Sequence, residues 1–298
     1  MRVDFGCEAD VALAPGHLIG QCIGNVLEAA IKPCLEELAE RHELYLDSHG
    51  PRPHVRDGLK LSWVDGLENS HDLDFVLERG GSATKQGQPA AFIEAAWRRY
   101  TKHSRAKAQE IQGAVLPVLA NWQHVKPSAA AVVAGEWSKP SLQQLRSSGF
   151  VVLHLHFPTT VAAFKKFGLD IEGAGETTDD SFWQAQVDTY RALSPEQFNA
   201  LATTLRTDNL EDFDQFVQEL EGRIIRAVDY VLVTPLHGNP SQFRDVAEAI
   251  KLVTEYNCED ATAAFVRFEI RIAYTNGDKI DASFIEAKDA AQFLETFV

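Results

Sequence analysis

The stretch 71–100, HDLDFVLERGGSATKQGQPAAFIEAAWRRY, decides how the chain is read. Its first part, HDLDFVLERGG (71–81), alternates apolar and polar residues as a half-buried strand does, with Asp72 and Asp74 at i and i+2 on one face. GGSATKQGQP (80–89) is turn-forming, and AAFIEAAW (90–97) is a short apolar run bounded by turn residues, hence a buried strand. Antiparallel pairing through this loop brings Asp74 beside Glu94. A carboxylate inside an apolar strand costs several kcal/mol unless a cation or hydrogen-bond donors meet it. Two converging carboxylates suit a hard divalent cation such as Mg²⁺, with Mn²⁺ as a substitute, and Asp72 is an auxiliary ligand. The alternative is a structural ion pair between Glu94 and Arg98 or Arg99.

Working outward, LKLSWVDG (59–66) is a further strand, joined to the first by the turn GLENS (66–70). TKHSRAKAQEIQGAVLPVLANW (101–122) has the pattern of an amphipathic helix. AAAVVAGEW (129–137), SKPSLQQLRSSG (138–149) and FVVLHLHF (150–157) then give strand, capped helix, strand. After Pro15, the spacing of Leu18, Cys22, Ile23, Val26, Leu27, Ala30 and Ile31 predicts one or two helices, broken or kinked near Pro33. Gly16, Gly20 and Gly24 form a small-residue row on that helix, which suits close helix packing in a core. A three-stranded meander, a helical crossover and two more strands make an α/β sandwich with a mixed sheet.

The second half is more helical. Ser194-Pro195-Glu196 starts a helix, AVDYVLVTPL (227–236) is a strand, and SQFRDVAEAIKLVTEY (241–256) is a helix. FVRFEIRIAYTNGDKIDASF (265–284) is a hairpin about Asn276-Gly277, followed by a closing helix. The expected division is 1–157, a core with N-terminal helices, and 158–298, a smaller α+β lobe.

With 298 residues, 45% of them hydrophobic and 24% charged, the composition excludes a mostly disordered chain. Acidic residues outnumber basic ones 43 to 28, giving a net charge of −15 and excluding a protein coated in basic charge. No apolar run reaches the roughly 18 residues a membrane span needs, so no membrane partner is expected. MRVDFGCEADVALAPG (1–16) lacks the apolar core of a signal peptide. Cys7, Cys22, Cys34 and Cys258 are far apart and read as reduced thiols of a cytoplasmic protein. Phosphate-binding loops, dinucleotide fingerprints, nucleophile elbows and H-E-x-x-H are all absent.

Against that acidic background, Arg98, Arg99, Lys102, Arg105 and Lys107 concentrate positive charge beside the carboxylate pair. Strand alternation puts Arg98 on the Glu94 face, and Lys102 and Arg105 share a helix face. Cations that hold phosphate beside a metal that activates water suit a phosphodiester.

The run Asp74-Phe-Val-Leu, with Phe92-Ile-Glu94-Ala-Ala and a polar helix after it, resembles the PD-(D/E)XK nuclease superfamily, the fold of many type II restriction endonucleases. The resemblance covers roughly 60–157 and implies an αβββαβ core, with Glu28 on the first helix matching an acid that some members carry. It implies a Mg²⁺-dependent endonuclease of the type II restriction class acting on double-stranded DNA as a homodimer, with Asp74 and Glu94 as metal ligands and a 5′-phosphate product. Two positions depart from the pattern: Leu73 replaces the proline before the first acid, and Ala96 replaces the lysine after the second. Some members move that lysine to the following helix, which makes Lys102 the candidate, with Arg98 and Lys107 behind it. Arg99, Arg105 and Lys107 would hold DNA phosphates. A repair nuclease, or an inactive DNA-binding protein of the same fold, are the rivals. His154 with His156, the Glu286-Ala-Lys288 sequence, the tryptophans 63, 97 and 137, and His103 all read more simply as structural residues.

Overall fold

The computed structural model describes residues 13–175, 177–225, 227–257 and 264–298. Cys7 and Cys258 lie outside them. The chain divides into two compact units, Met1–Glu221 and Gly222–Val298. The boundary expected after residue 157 is thereby moved, because α5 (Asp180–Arg191) and α6 (Pro195–Thr207) pack on the first helix.

In the first unit the elements run α1 (Pro15–Arg41), β1 (Leu44–Ser48), β2 (Leu61–Val64), β3 (Ser70–Leu73), β4 (Phe75–Arg79) and β5 (Gln88–Arg98). They continue through α2 (Ser104–Asn121), β6 (Ser128–Gly135), α3 (Lys139–Ser147), β7 (Phe150–His156) and α4 (Phe157–Lys165) to α5 and α6, and α7 (Leu210–Ile224) carries the chain onward. A mixed five-stranded sheet, ordered β1-β4-β5-β6-β7, is the centre of the unit. Its first three strands are antiparallel, and β5, β6 and β7 are parallel. This is an α/β architecture with a mixed sheet, as the sequence implied.

Two details of the meander differ from expectation. LYLDS (44–48) is the sheet's first strand, which the sequence reading did not single out. The alternating run 71–79 is two strands separated by a bend at Asp74. Its first half pairs only with β2 in a separate hairpin, Ser62 opposite Asp72, and its second half joins the sheet. Asp72 therefore lies on β3 and Asp74 at the bend after it, and their shared face is lost.

Helix α1 runs through Pro33 without a break. A mid-helix proline costs about 3 kcal/mol, and the fully buried row Ile31, Leu35 and Leu38 on either side of it offsets that cost. The α2 and α3 face is packed with Val76, Phe92, Ala96, Val133 and Phe150 from the sheet against Ala108, Ile111, Val115 and Leu145 from the helices. The hairpin adds Trp63, whose ring meets Phe92 edge-on at 5.4 Å. Helices α1 and α4 pack against the sheet as well, and α6 contacts both.

The end of β5 is fixed by Gly135, whose φ is +97°. A Cβ there would stand 2.1 Å from the Arg98 carbonyl oxygen, so only glycine admits this approach. The next residue, Glu136, donates its N–H to that same carbonyl at 2.7 Å.

The second unit holds β8 (Val228–Pro235), β9 (Ser241–Phe243), α8 (Val246–Glu255), β10 (Phe268–Tyr274), β11 (Lys279–Phe284) and α9 (Ala287–Glu295). Its antiparallel sheet is ordered β11-β10-β8-β9. Val231, Val233, Ile270 and Ile272 pack there with Ala249, Val253 and Leu294. The Asn276-Gly277 hairpin forms as read, with Gly277 at φ +86°. Glu286 is the N-cap position of α9 and Lys288 lies in its first turn, which accounts for the E-x-K sequence structurally.

Candidate functional site

Pairing of Phe75 with Ile93 sets the β4–β5 register, and the next step along the ladder faces Asp74 with Glu94. Asp74 Oδ2 accepts the Ala95 N–H at 2.7 Å. Glu94 is buried and Asp74 half-buried, and desolvation raises the Asp74 pKa and lifts that of Glu94 well above its ordinary value. Asp74 and Glu28 push Glu94 further the same way, while Lys107 pulls it back. On α1, the Glu28 carboxyl is raised to about 8, first by burial and then by the charge of Asp74. Three acids from α1, the β4 entrance and β5 thus repel one another in a poorly hydrated place. Glu94 Oε1 is buried with no hydrogen-bond partner.

Lys32 acts on Glu28, and a different lysine faces the other two acids. Lys107 on α2 lowers the pKa of both Asp74 and Glu94, and its Nζ also donates to Glu110 Oε1 at 2.5 Å. Glu110 in turn approaches Arg98 at 3.6 Å. Arg98 also donates to the Trp97 carbonyl at 2.9 Å, so its ion-pair partner is Glu110, and the Glu94–Arg98 pair considered as an alternative does not form. Arg99 lies over the Trp183 ring at 4.1 Å and donates to the Glu172 carbonyl.

A cleft of about 850 Å³ opens beside these groups. One wall is the N-terminal half of α1, including Gly20 and Gly24. Arg98, Arg99, Tyr100 and Lys107 form another, and Trp183 of α5 contributes as well. The glycine row of α1 therefore faces open space over much of its length. A Cβ at Gly20 or Gly24 would meet nothing within 4 Å, and only Gly16 would touch Trp183, at 3.5 Å. Close helix packing does not explain the row.

The other expected residues lie elsewhere. Asp72 is exposed, its carboxylate taken up by Lys60 at 2.9 Å and Ser62 at 2.6 Å across the hairpin, which holds its pKa down. Lys102 is exposed on the 3₁₀ turn Thr101–His103, its Nζ 5.8 Å from the Tyr100 ring centre. Arg105 is exposed on α2 and does not line the cleft. The structure brings together Asp74, Glu94, Glu28, Lys107 and Arg98, leaving Asp72, Lys102 and Arg105 apart. His154 and His156 stack at 4.5 Å, and His154 Nε2 is engaged by the Gly135 carbonyl at 3.1 Å. Trp183 and the cleft-lining His17 were not singled out in the sequence, where no spacing ties them to Glu94.

Among the described residues, no three His, Cys, Asp or Glu side chains converge closely enough to hold a metal as they stand. Mg²⁺ commonly uses only one or two carboxylates and keeps waters or phosphate oxygens for the rest. An Asp74–Glu94 pair meets that requirement, and the orphaned Glu94 Oε1 is a donor with no other use.

No family model matches the chain, and no curated protein matches it. A solved structure described as a protein of unknown function, AF1548, aligns with 67% of this chain and 98% of its own at 11% identity and a TM-score of 0.29. A likeness that low carries no argument. Among the described residues, no helix is long and apolar enough to cross a membrane.

Proposed function

We propose that the protein is a divalent-metal-dependent nuclease that hydrolyses DNA phosphodiester bonds at the Asp74–Glu94 site. The observation that carries this reading is the buried, unpartnered Glu94 Oε1 beside the half-buried Asp74 carboxylate, with Lys107 and Arg98 lining an adjoining cleft. Buried acids without partners are costly, and a cation removes that cost. The order of α1, three antiparallel strands β1, β4 and β5, then α2, β6, α3 and β7 supports the αβββαβ assignment.

Asp74 and Glu94 would hold the ion, with the Glu28 carboxyl close to them on α1. When bound, a Mg²⁺ ion supplies Lewis-acid polarisation of the phosphate and lowers the pKa of a coordinated water. The chain's own residues do the rest. Asp74 and Glu94 would meet the cation as carboxylates. The Ala95 N–H fixes the orientation of Asp74. Lys107 presents a positive charge to the phosphate as bond breaking loads it with negative charge, the role the sequence gave to Lys102. Arg98 holds the phosphate from the strand end, once Glu110 yields it.

Glu110's hold on Lys107 also favours a second reading, an inactive DNA-binding protein of this fold. One assay separates the two. Purified protein is incubated with plasmid and with circular single-stranded DNA, with Mg²⁺ or with EDTA. The nuclease reading requires Mg²⁺-dependent cutting that Glu94→Gln abolishes; binding without cutting in either buffer leaves the inactive protein. Restriction-type recognition and the homodimer rest on the family resemblance alone.

A further inference from the structure

We propose that the cleft takes an unpaired DNA strand, laid against the glycine face of α1 with its phosphates toward Arg98, Arg99 and Lys107. The proposal rests on the nuclease reading for the identity of the ligand as a phosphodiester, and adds the form in which the strand is bound.

The first support is the cost of the glycine row. Gly20 and Gly24 sit inside a 27-residue helix, where each glycine is less favourable than alanine by roughly 1 kcal/mol. No neighbouring side chain claims the space, since a Cβ at either position would be unopposed within 4 Å. What the row provides is a smooth trough in which another chain can approach the helix backbone. The trough runs toward Glu28, one helical turn beyond Gly24, and so toward the acids.

The second support is independent of the row. Outside the cleft lining, next to the lining residue Ala95, the Glu94 carboxylate is nine-tenths buried and its Oε1 has no partner. Such an atom marks a place completed by something that binds. The opposite wall supplies what a phosphodiester strand needs: the cations Arg98, Arg99 and Lys107, and the ring of Tyr100 beside them. Cations tracking a backbone, with aromatic rings for bases, are the pairing used by single-strand sites.

Size decides against a duplex. The cleft holds about 850 Å³, within the roughly 300–1,000 Å³ of sites that enclose small ligands. A duplex is broader than its own major groove of about 12 Å and is not enclosed by such a volume, whereas a few unpaired nucleotides are.

The test needs no catalysis. Fluorescence anisotropy in EDTA compares a labelled oligothymidylate about ten nucleotides long with a hairpin duplex of similar length, within the roughly 4–16 nucleotides of single-strand sites. The single strand should bind at least about tenfold tighter, the scale of one stacked base. Gly24→Leu should weaken that binding about tenfold while leaving the melting temperature unchanged or higher. Gly113→Leu, on the exposed side of α2 where a Cβ is also unopposed, should bind as wild type. Gly20→Leu fills the same trough should Gly24→Leu not fold. Duplex binding as tight as the single strand overturns the proposal, as does undiminished binding by the leucine variants, or no binding of either DNA. Failure of Mg²⁺-dependent cutting with this binding pattern intact would remove the nuclease reading alone.

Discussion

Two acidic groups flank strand β4, Glu78 near its end and Asp74 with Glu94 just before its start, and their surroundings differ completely. Glu78 is fully buried and meets Arg52, which bonds it through two nitrogens at 2.7 and 2.9 Å. Arg52 also donates to Asp47 at 2.6 Å, and Arg56 adds two more bonds to Asp47. The remaining Arg52 donors go to the Ser82 and Lys85 carbonyls, and the Tyr45 ring lies 4.4 Å away. At the other end, Asp74 and Glu94 share Lys107, which Glu110 also holds, while Lys32 acts on Glu28. The first group is a closed network that pins the loops around 50–58 and 80–88. The second leaves a carboxylate oxygen orphaned beside a cleft. Burial of charge is common to both, so burial alone does not mark a functional site. The mark is burial without completed hydrogen bonding.

The comparison breaks if substitutions at the two ends have effects of the same sign. Arg52→Ala strands Asp47 and Glu78 and should destabilise the fold by roughly 3–5 kcal/mol, read from urea unfolding. Glu94→Gln removes an unpaired buried acid and should leave stability unchanged or raise it, by about 1 kcal/mol, while cutting falls to background. Marked destabilisation by Glu94→Gln would make that acid structural.

Next in size is the cation. Lys107→Ala should slow cutting by on the order of 10², the scale of one charge-stabilising group, and Lys102→Ala should have little effect. A dead Lys102→Ala with an active Lys107→Ala would return the role to the 3₁₀ turn.

How far the sequence carried is visible in these residues. The Asp74–Glu94 juxtaposition was legible because a period-2 pattern and a turn-rich loop together set a register. The αβ order was legible for the same reason. Lys107 was not separable from Lys102, because the 3₁₀ turn before α2 shifts which helix residue faces the sheet, and no periodicity announces such a turn. Asp72 was misplaced because alternation continues smoothly through Asp74, although the chain bends there and leaves one sheet for another. The acids and bases of 47–56 gave no local sign of their network, which depends on residues up to 33 positions apart.

A smaller effect sharpens the contrast by pH. The Glu28 pKa is raised from 4.5 to about 8, so between these values the folded chain holds a proton that the unfolded chain has released. This contribution is full below pH 4.5 and is lost as pH rises through about 8. The metal-free protein should therefore melt several degrees lower near pH 8 than near pH 4.5, at about 2–4 °C per kcal/mol, and Glu28→Gln should flatten the slope. An equal slope in Glu28→Gln would assign the effect to other groups.

The most direct test of the central claim, that the orphaned carboxylate awaits a cation, is a calorimetric titration of Mn²⁺ into metal-free protein. Wild type and Asp72→Asn should show the same saturable binding, accompanied by proton release, and Glu94→Gln should lose it. Wild-type Mn²⁺ binding by Glu94→Gln, or its loss in Asp72→Asn alone, would contradict the account.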